Sequence, residues 1–187
     1  MKTILTLFMI LTASVVFFAC GSGNDSATAQ QTTVQQAAEK TTGEFTWYRD
    51  WDTGMAAAKK ENKPVLVDFY ADWCGYCKKF DKEAFADAGI KDKLAKDWIG
   101  IKINGEDKNG RATIDGKKLT HPEVMQQYGI KGFPTILLFD KTGKAVEPYT
   151  TYINYVPIEP FGPLLDYFKD ELYSKDVDIN EYIKANI

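Results

Sequence analysis

A chain of 187 residues with a formal net charge of −3, its charges of both signs interspersed, carries no field that would recruit nucleic acid or an anionic lipid surface, and nucleic acid is not expected as a partner. Three cysteines and a single histidine, His121, exclude a disulfide-stapled miniature scaffold, and four zinc ligands could be assembled only with a carboxylate or another chain, so no metal site is expected. Neither an internal repeat nor a phosphate-binding glycine loop is present.

At the N-terminus, Lys2 precedes an apolar run over residues 4–19. This has the charge-then-apolar order of a secretory signal and is too short to be read as a membrane span, so residues 1–19 are expected to direct export. Phe17-Phe18-Ala19-Cys20 resembles a bacterial lipoprotein processing site, with a small residue before a cysteine, although Phe17 stands where leucine is usual. The resemblance implies that Cys20 is lipidated. The competing reading is ordinary cleavage after Ala27-Thr28-Ala29, a site far from the apolar run, which would discard Cys20. Residues 20–43 are dominated by small and polar side chains that cannot bury enough surface to offset their ordering entropy, and are expected as a disordered tether.

The remaining sequence suits one domain over residues 44–173, followed by an extension over 174–187 that is read as a short docking helix. Residues 51–62 read as a helix, 64–70 as a strand, 74–85 as a helix, 88–97 as a further helical piece and 99–104 as a strand. Between 105 and 120, the dipeptides Asn109-Gly110 and Asp115-Gly116 mark turns, and residues 113–119 have the make-up of a tight hairpin. This segment is read as a tolerated surface loop, with a specificity insert as the alternative. Thr120-His121-Pro122-Glu123 fits a capping box that opens a helix ended by Gly129, which makes His121 a first-turn residue. Residues 135–140 and 145–152 are expected as a hairpin across Lys141-Thr142-Gly143, and residues 160–173 as a closing helix. This alternation predicts an α/β fold, a mixed sheet with helices on both faces.

Directly after the first strand comes Trp73-Cys74-Gly75-Tyr76-Cys77. Two cysteines separated by two residues close a small disulfide ring only where the backbone turns, and the first turn of a helix supplies that turn. Unpaired N–H groups and the macrodipole at a helix N-terminus favour a thiolate, so Cys74 is expected as a partly exposed attacking sulfur and Cys77, one turn inward, as the resolving thiol. The pair is therefore read as redox-active, over a zinc-ligand pair or an inert staple. Asp68 interrupts the apolar strand. Buried, it would have a raised pKa and suit the proton of Cys77; a strand-end residue facing solvent is the alternative. Lys102, in the apolar stretch of residues 99–104, is either its partner on an adjacent strand or a solvated strand residue. Trp73 is read as an exposed apolar rim beside Cys74 that meets substrate.

Residues 67–78, Val-Asp-Phe-Tyr-Ala-Asp-Trp-Cys-Gly-Tyr-Cys-Lys, resemble the active-site segment of thioredoxins. Lys102-Ile103-Asn104 is similar to the strand carrying that family's buried lysine, and residues 128–139 to the segment holding its cis-proline. The resemblance spans roughly residues 45–172. It implies a thioredoxin fold with a central mixed sheet flanked by helices, Cys74 as nucleophile, Cys77 as resolving thiol, Asp68 as buried acid-base group, Lys102 as its partner and Pro134 as cis-proline. It further implies that Phe133 pairs its backbone with an extended substrate segment. On chemistry alone, Pro134 is a strand-opening residue that cannot donate to a ladder. Gly75-Tyr76 replaces the Gly-Pro of thioredoxin itself, which leaves the direction of electron flow open across potentials of about −270 to −120 mV, roughly 7 kcal/mol.

The expected function is that of a periplasmic thiol:disulfide oxidoreductase, anchored by lipid at Cys20. It would reduce protein disulfides without a cofactor and be recharged by a membrane electron donor. A thiol oxidase or isomerase on the same fold is one alternative. A binding or chaperone module with a merely structural disulfide is the other.

Overall fold

A strand reading Val-Leu-Val-Asp-Phe-Tyr has no solvent side and is stable only at the centre of a sheet covered on both faces. The computed structural model describes residues 45–147, 151–153 (backbone only) and 155–187; the expected signal, the tether and Cys20 lie outside the described residues. In chain order the elements are α1 (Trp51–Glu61), β1 (Val65–Tyr70), α2 (Gly75–Glu83), α3 (Ala88–Asp97), β2 (Ile99–Asn104), β3 (Arg111–Ile114), β4 (Lys117–Thr120), α4 (His121–Gln127), β5 (Thr135–Phe139), β6 (Thr151–Ile153), α5 (Ile158–Lys169), a 3-10 turn at Leu172–Ser174 and α6 (Ile179–Asn186).

The main sheet has the order β2-β1-β5-β6. β1 runs parallel to β2, with Asp68 opposite Lys102, and antiparallel to β5. Side-chain alternation divides the core in two. Val65, Val67, Phe69, Ile99, Ile101 and Ile103 pack with Trp51 of α1 and Val124 of α4. Leu66, Ile136 and Leu138 face the other way, against Phe80 of α2, Leu94 of α3 and Phe161 of α5. Asp68 lies two residues after Leu66 and Lys102 two after Gly100, so each shares that residue's face, and both point to the side covered by α2.

The described α-helices other than α5 begin where a side chain satisfies a first-turn N–H group. Asp50 accepts from Thr53 N at 2.8 Å at the start of α1, and Asp87 from Ile90 N at 2.9 Å at the start of α3. The capping box at α4 is complete: Thr120 Oγ1 accepts from Glu123 N, and Glu123 Oε2 accepts from Thr120 N at 2.7 Å. α6 returns to α5, with Ile179 buried in the same core and the rings of Tyr167 and Tyr182 at 5.5 Å.

Three segments differ from the sequence expectation. The strand expected over 145–152 is interrupted: Phe139 bridges Ala145, but Leu137 pairs with Thr151 where an unbroken ladder would place Glu147. The closing helix starts at Ile158 and ends at Lys169, because Glu171 takes a left-handed conformation at φ 54°, leaving Tyr173 in the 3-10 turn.

The hairpin expected over residues 113–119 forms, as a second, two-stranded sheet, but it is anchored to the domain where a tolerated surface loop was expected. Asp115 and Gly116 both have positive φ, 51° and 75°, as a two-residue type I′ hairpin turn requires. Ala112 and Ile114 are buried, and Thr113 donates from N and Oγ1 to the two carboxylate oxygens of Asp52 at 2.7 and 2.8 Å.

Gly54 of α1 faces β2 so closely that a Cβ would lie 2.5 Å from Ile101 Cγ1. A Gly54→Ala change gains about 1 kcal/mol of helix propensity but overpacks the core at a cost of about 1–3 kcal/mol. The expected result is a net loss of about 1 kcal/mol, read as a lower urea midpoint at unchanged slope.

Candidate active site

The turn from β1 into α2 presents the two cysteines at one helix end. Cys74 is the N-cap, extended at φ −71° and ψ 107°; its N–H donates to Ala71 O at 3.0 Å, and its Sγ accepts from Cys77 N at 3.0 Å. The sulfurs are joined in a disulfide. On reduction, the Cys74 sulfur occupies the position where unpaired amide N–H groups stabilise an anion. Cys74 was expected to be partly exposed; in the oxidised state it is only 3 % exposed. The half-buried Phe133 packs against the pair, and access from solvent is correspondingly narrow.

Beneath α2 lies an ionic cluster that the alternation of the strands assembles. Lys102 Nζ is 2.9 Å from Asp68 Oδ2 and also donates to Asp81 Oδ1. Asp68 and Lys102 are buried, whereas the Asp81 side chain is 43 % exposed. The rings of Trp47 and Tyr70 lie 5.4 Å from Nζ, and that of Phe85 lies 5.5 Å away, replacing part of the water the ammonium has lost. Asp68 Oδ1 has no hydrogen-bond partner among the described residues. Burial pushes the Asp68 carboxyl above its ordinary range; Lys102 opposes this, Asp81 reinforces it, and Arg49 adds a smaller opposing charge. Cys77 and Asp81 are four residues apart on α2 and share its inward face.

The rim is aromatic. Trp73 is 69 % and Tyr76 65 % exposed, and they flank Cys74 in sequence. Trp73 meets Phe133 edge-on at 6.0 Å and donates from Nε1 to Glu106 Oε2 at 3.0 Å. The Phe133–Pro134 peptide is cis, and Thr135 Oγ1 donates back to Gly132 O at 2.7 Å, fixing the turn into β5. His121, the first residue of α4, is buried and donates from Nδ1 to Asn104 O at 2.9 Å, holding the loop after β2.

Cys74, Cys77, Asp68, Lys102, Trp73, Phe133 and Pro134 thus converge on one end of the sheet; Cys20 lies outside the described residues. Two further groups at the site were not singled out from sequence. Asp81 carried a signal, its i+4 spacing from Cys77; Glu106, in an irregular loop, carried none.

Paired sulfurs at the head of a helix that follows a central strand form a dithiol site on a thioredoxin-type α/β fold. Residues 51–169 match the Thioredoxin-like domain, and the chain belongs to the thioredoxin-like family. Among curated relatives, the thiol:disulfide interchange protein DsbD of Pseudoalteromonas atlantica is 35% identical over 98 residues, 52% of this chain and 15% of that protein. DsbD of Actinobacillus pleuropneumoniae is 37% identical over 84 residues, 45% of this chain and 13% of that protein. The similarity therefore spans less than a sixth of either relative's length. Among solved structures, a thioredoxin-fold protein from Helicobacter pylori superposes with a TM-score of 0.58 at 22% identity, covering 72% of this chain and 97% of that one. A thioredoxin from Thermus thermophilus gives 0.54 at 19% identity, covering 67% and 87%. Both show the fold.

Because burial raises the Asp68 pKa above the ~3.9 of an unfolded aspartate, its contribution to stability is full below that value and is lost as pH rises through the folded pKa. Asp68→Asn cannot ionise, and it leaves Lys102 paired with Asp81. The thermal midpoint of this variant relative to the parent is expected to be higher at about pH 8 than at about pH 4. A difference independent of pH, in melts at the two values, would contradict the assignment.

Proposed function

We propose that the protein is an exported thiol:disulfide oxidoreductase whose reduced Cys74 and Cys77 pair reduces disulfides in other proteins. The observation carrying this reading is the Cys74 sulfur at the α2 N-cap, with the buried carboxylate of Asp68 under the helix face that bears Cys77. The Cys74 thiolate attacks one sulfur of a substrate disulfide. A mixed disulfide forms, and the other substrate sulfur leaves as a thiolate that takes a proton from water. Asp68, with Lys102 beside it, accepts the Cys77 proton. The Cys77 thiolate then attacks Cys74 Sγ, closing the internal disulfide and expelling the second substrate thiolate, which is protonated in turn. Two electrons pass to the substrate. Trp73 offers an apolar rim, and the backbone at Phe133 and Pro134 holds an extended substrate segment.

Export to the periplasm follows from Lys2 and residues 4–19, and anchoring from lipid on Cys20, with residues 21–43 as a tether. In an oxidising compartment such a reductase needs recharging, and a membrane electron donor fills that role. The relatives named as thiol:disulfide interchange proteins support the same chemistry.

The reduced protein is expected to precipitate insulin by cleaving its disulfides, and Cys77→Ser to accumulate mixed disulfides through Cys74. Inertness to insulin would sink the enzymatic reading and leave a binding module. Titration against glutathione is expected to give a potential nearer −270 than about −120 mV; a value at the other end marks an oxidase. In a bacterial host, Cys20→Ala is expected to move the protein from the membrane to the soluble fraction, whereas unchanged partitioning would remove the anchor.

A further inference from the structure

We propose that Asp81 is a positioning residue of this exchange reaction, sharing the Lys102 ammonium with Asp68 so that Asp68 stays basic enough to take the proton of Cys77. The inference rests on the oxidoreductase reading above.

A buried carboxylate facing one buried ammonium alone would be held as an ion, hydrogen-bonded and reluctant to accept a proton. Here one positive charge serves two carboxylates, and the trio carries a net negative charge when all three groups are ionised. Lys102 has three donors and places one on each acid, so neither acid commands the whole charge. The geometry also divides Asp68 itself. Oδ2 is occupied by Lys102, whereas Oδ1 is buried without a partner and is the atom free to receive a proton. Asp81 is suited to its part because its side chain is 43 % exposed and keeps much of its hydration, while the ammonium it holds is buried. Its position four residues after Cys77 places thiol and acid on one helix face, so their relation to Asp68 is set by a single rigid element.

The charged and titratable groups around Asp68 come from several elements. They are Lys102 from β2, Asp81 and Cys77 from α2, Arg49 from the segment before α1, and Tyr70 on β1, whose ring lies over the Lys102 ammonium. On the remaining side β5 sets Ile136 opposite Asp68, which carries no charge. Asp81 is therefore the acidic group whose charge offsets Lys102 at Asp68, and removing that charge hands Lys102 to Asp68 undivided.

The test separates the two steps of exchange. Reduced protein is mixed with dithiobis(nitrobenzoate) in a stopped-flow instrument across pH; attack by Cys74 releases the first coloured thiolate, and resolution by Cys77 releases the second. For Asp81→Asn, the acid limb of the second release is expected to move down by about half a pH unit and its plateau to fall roughly twofold, as Brønsted behaviour requires of a weaker base. Asp81→Glu, which keeps the charge, is expected to retain the parent profile. A second-release profile in Asp81→Asn that superimposes on the parent's, or an Asp81→Glu profile like that of the Asn variant, overturns the proposal and leaves the oxidoreductase reading standing. Absence of any second release in the parent overturns both.

Discussion

The carboxylate of Asp68 lies in the central strand of a sheet packed on both faces, and this burial is the constraint around which the redox end of the molecule is organised. A lone buried ion there is costly, by several kcal/mol even after relaxation. The adjacent parallel strand answers with Lys102 in direct register, and the helix above answers with Asp81. Aromatic rings from Trp47, Tyr70 and Phe85 close over the ammonium. The same helix carries the two cysteines, so the element that satisfies the cluster is also the one that presents the sulfurs. A structural solution to a buried charge and a proton acceptor beneath a thiol are here one arrangement.

Much of this was legible in the sequence because its signals were local. A near-continuous apolar run before Cys74 pointed to a fully covered strand, and Asp68 stood out as the residue that such a strand should not contain. Lys102 sits in a second apolar run, but the sequence left it open between a partner of Asp68 and a solvated strand residue, and the register of β1 with β2 is what pairs the two. The capping box at Thr120 and Glu123 was readable for the same reason, since donor and acceptor are three residues apart.

What sequence did not disclose depends on tertiary contacts. The turn of the β3–β4 hairpin is legible at Asp115-Gly116, but nothing near Thr113 announces that its partner is Asp52, on the first turn of α1. The burial of Cys74 likewise draws on Phe133, which is distant in the chain, beside the local Tyr70 and Ala71. The interruption before β6 was not read from the sequence; it shows only in the register of β6 against β5.

The root of the loop after β2 holds Gly105, whose N–H donates to Tyr70 O at 2.9 Å. A Cβ at this residue would lie 2.4 Å from Met125 Sδ and 2.6 Å from the ring of Phe133, the residue that precedes the cis-proline. The loop therefore cannot be recombined freely. A graft from another protein can recharge the tip over residues 107–109, but a side chain at Gly105 would drive into Met125 and Phe133, and one at Gly110 into the ring of His121. Loop shuffling in this scaffold has its junction after Gly105, not before it.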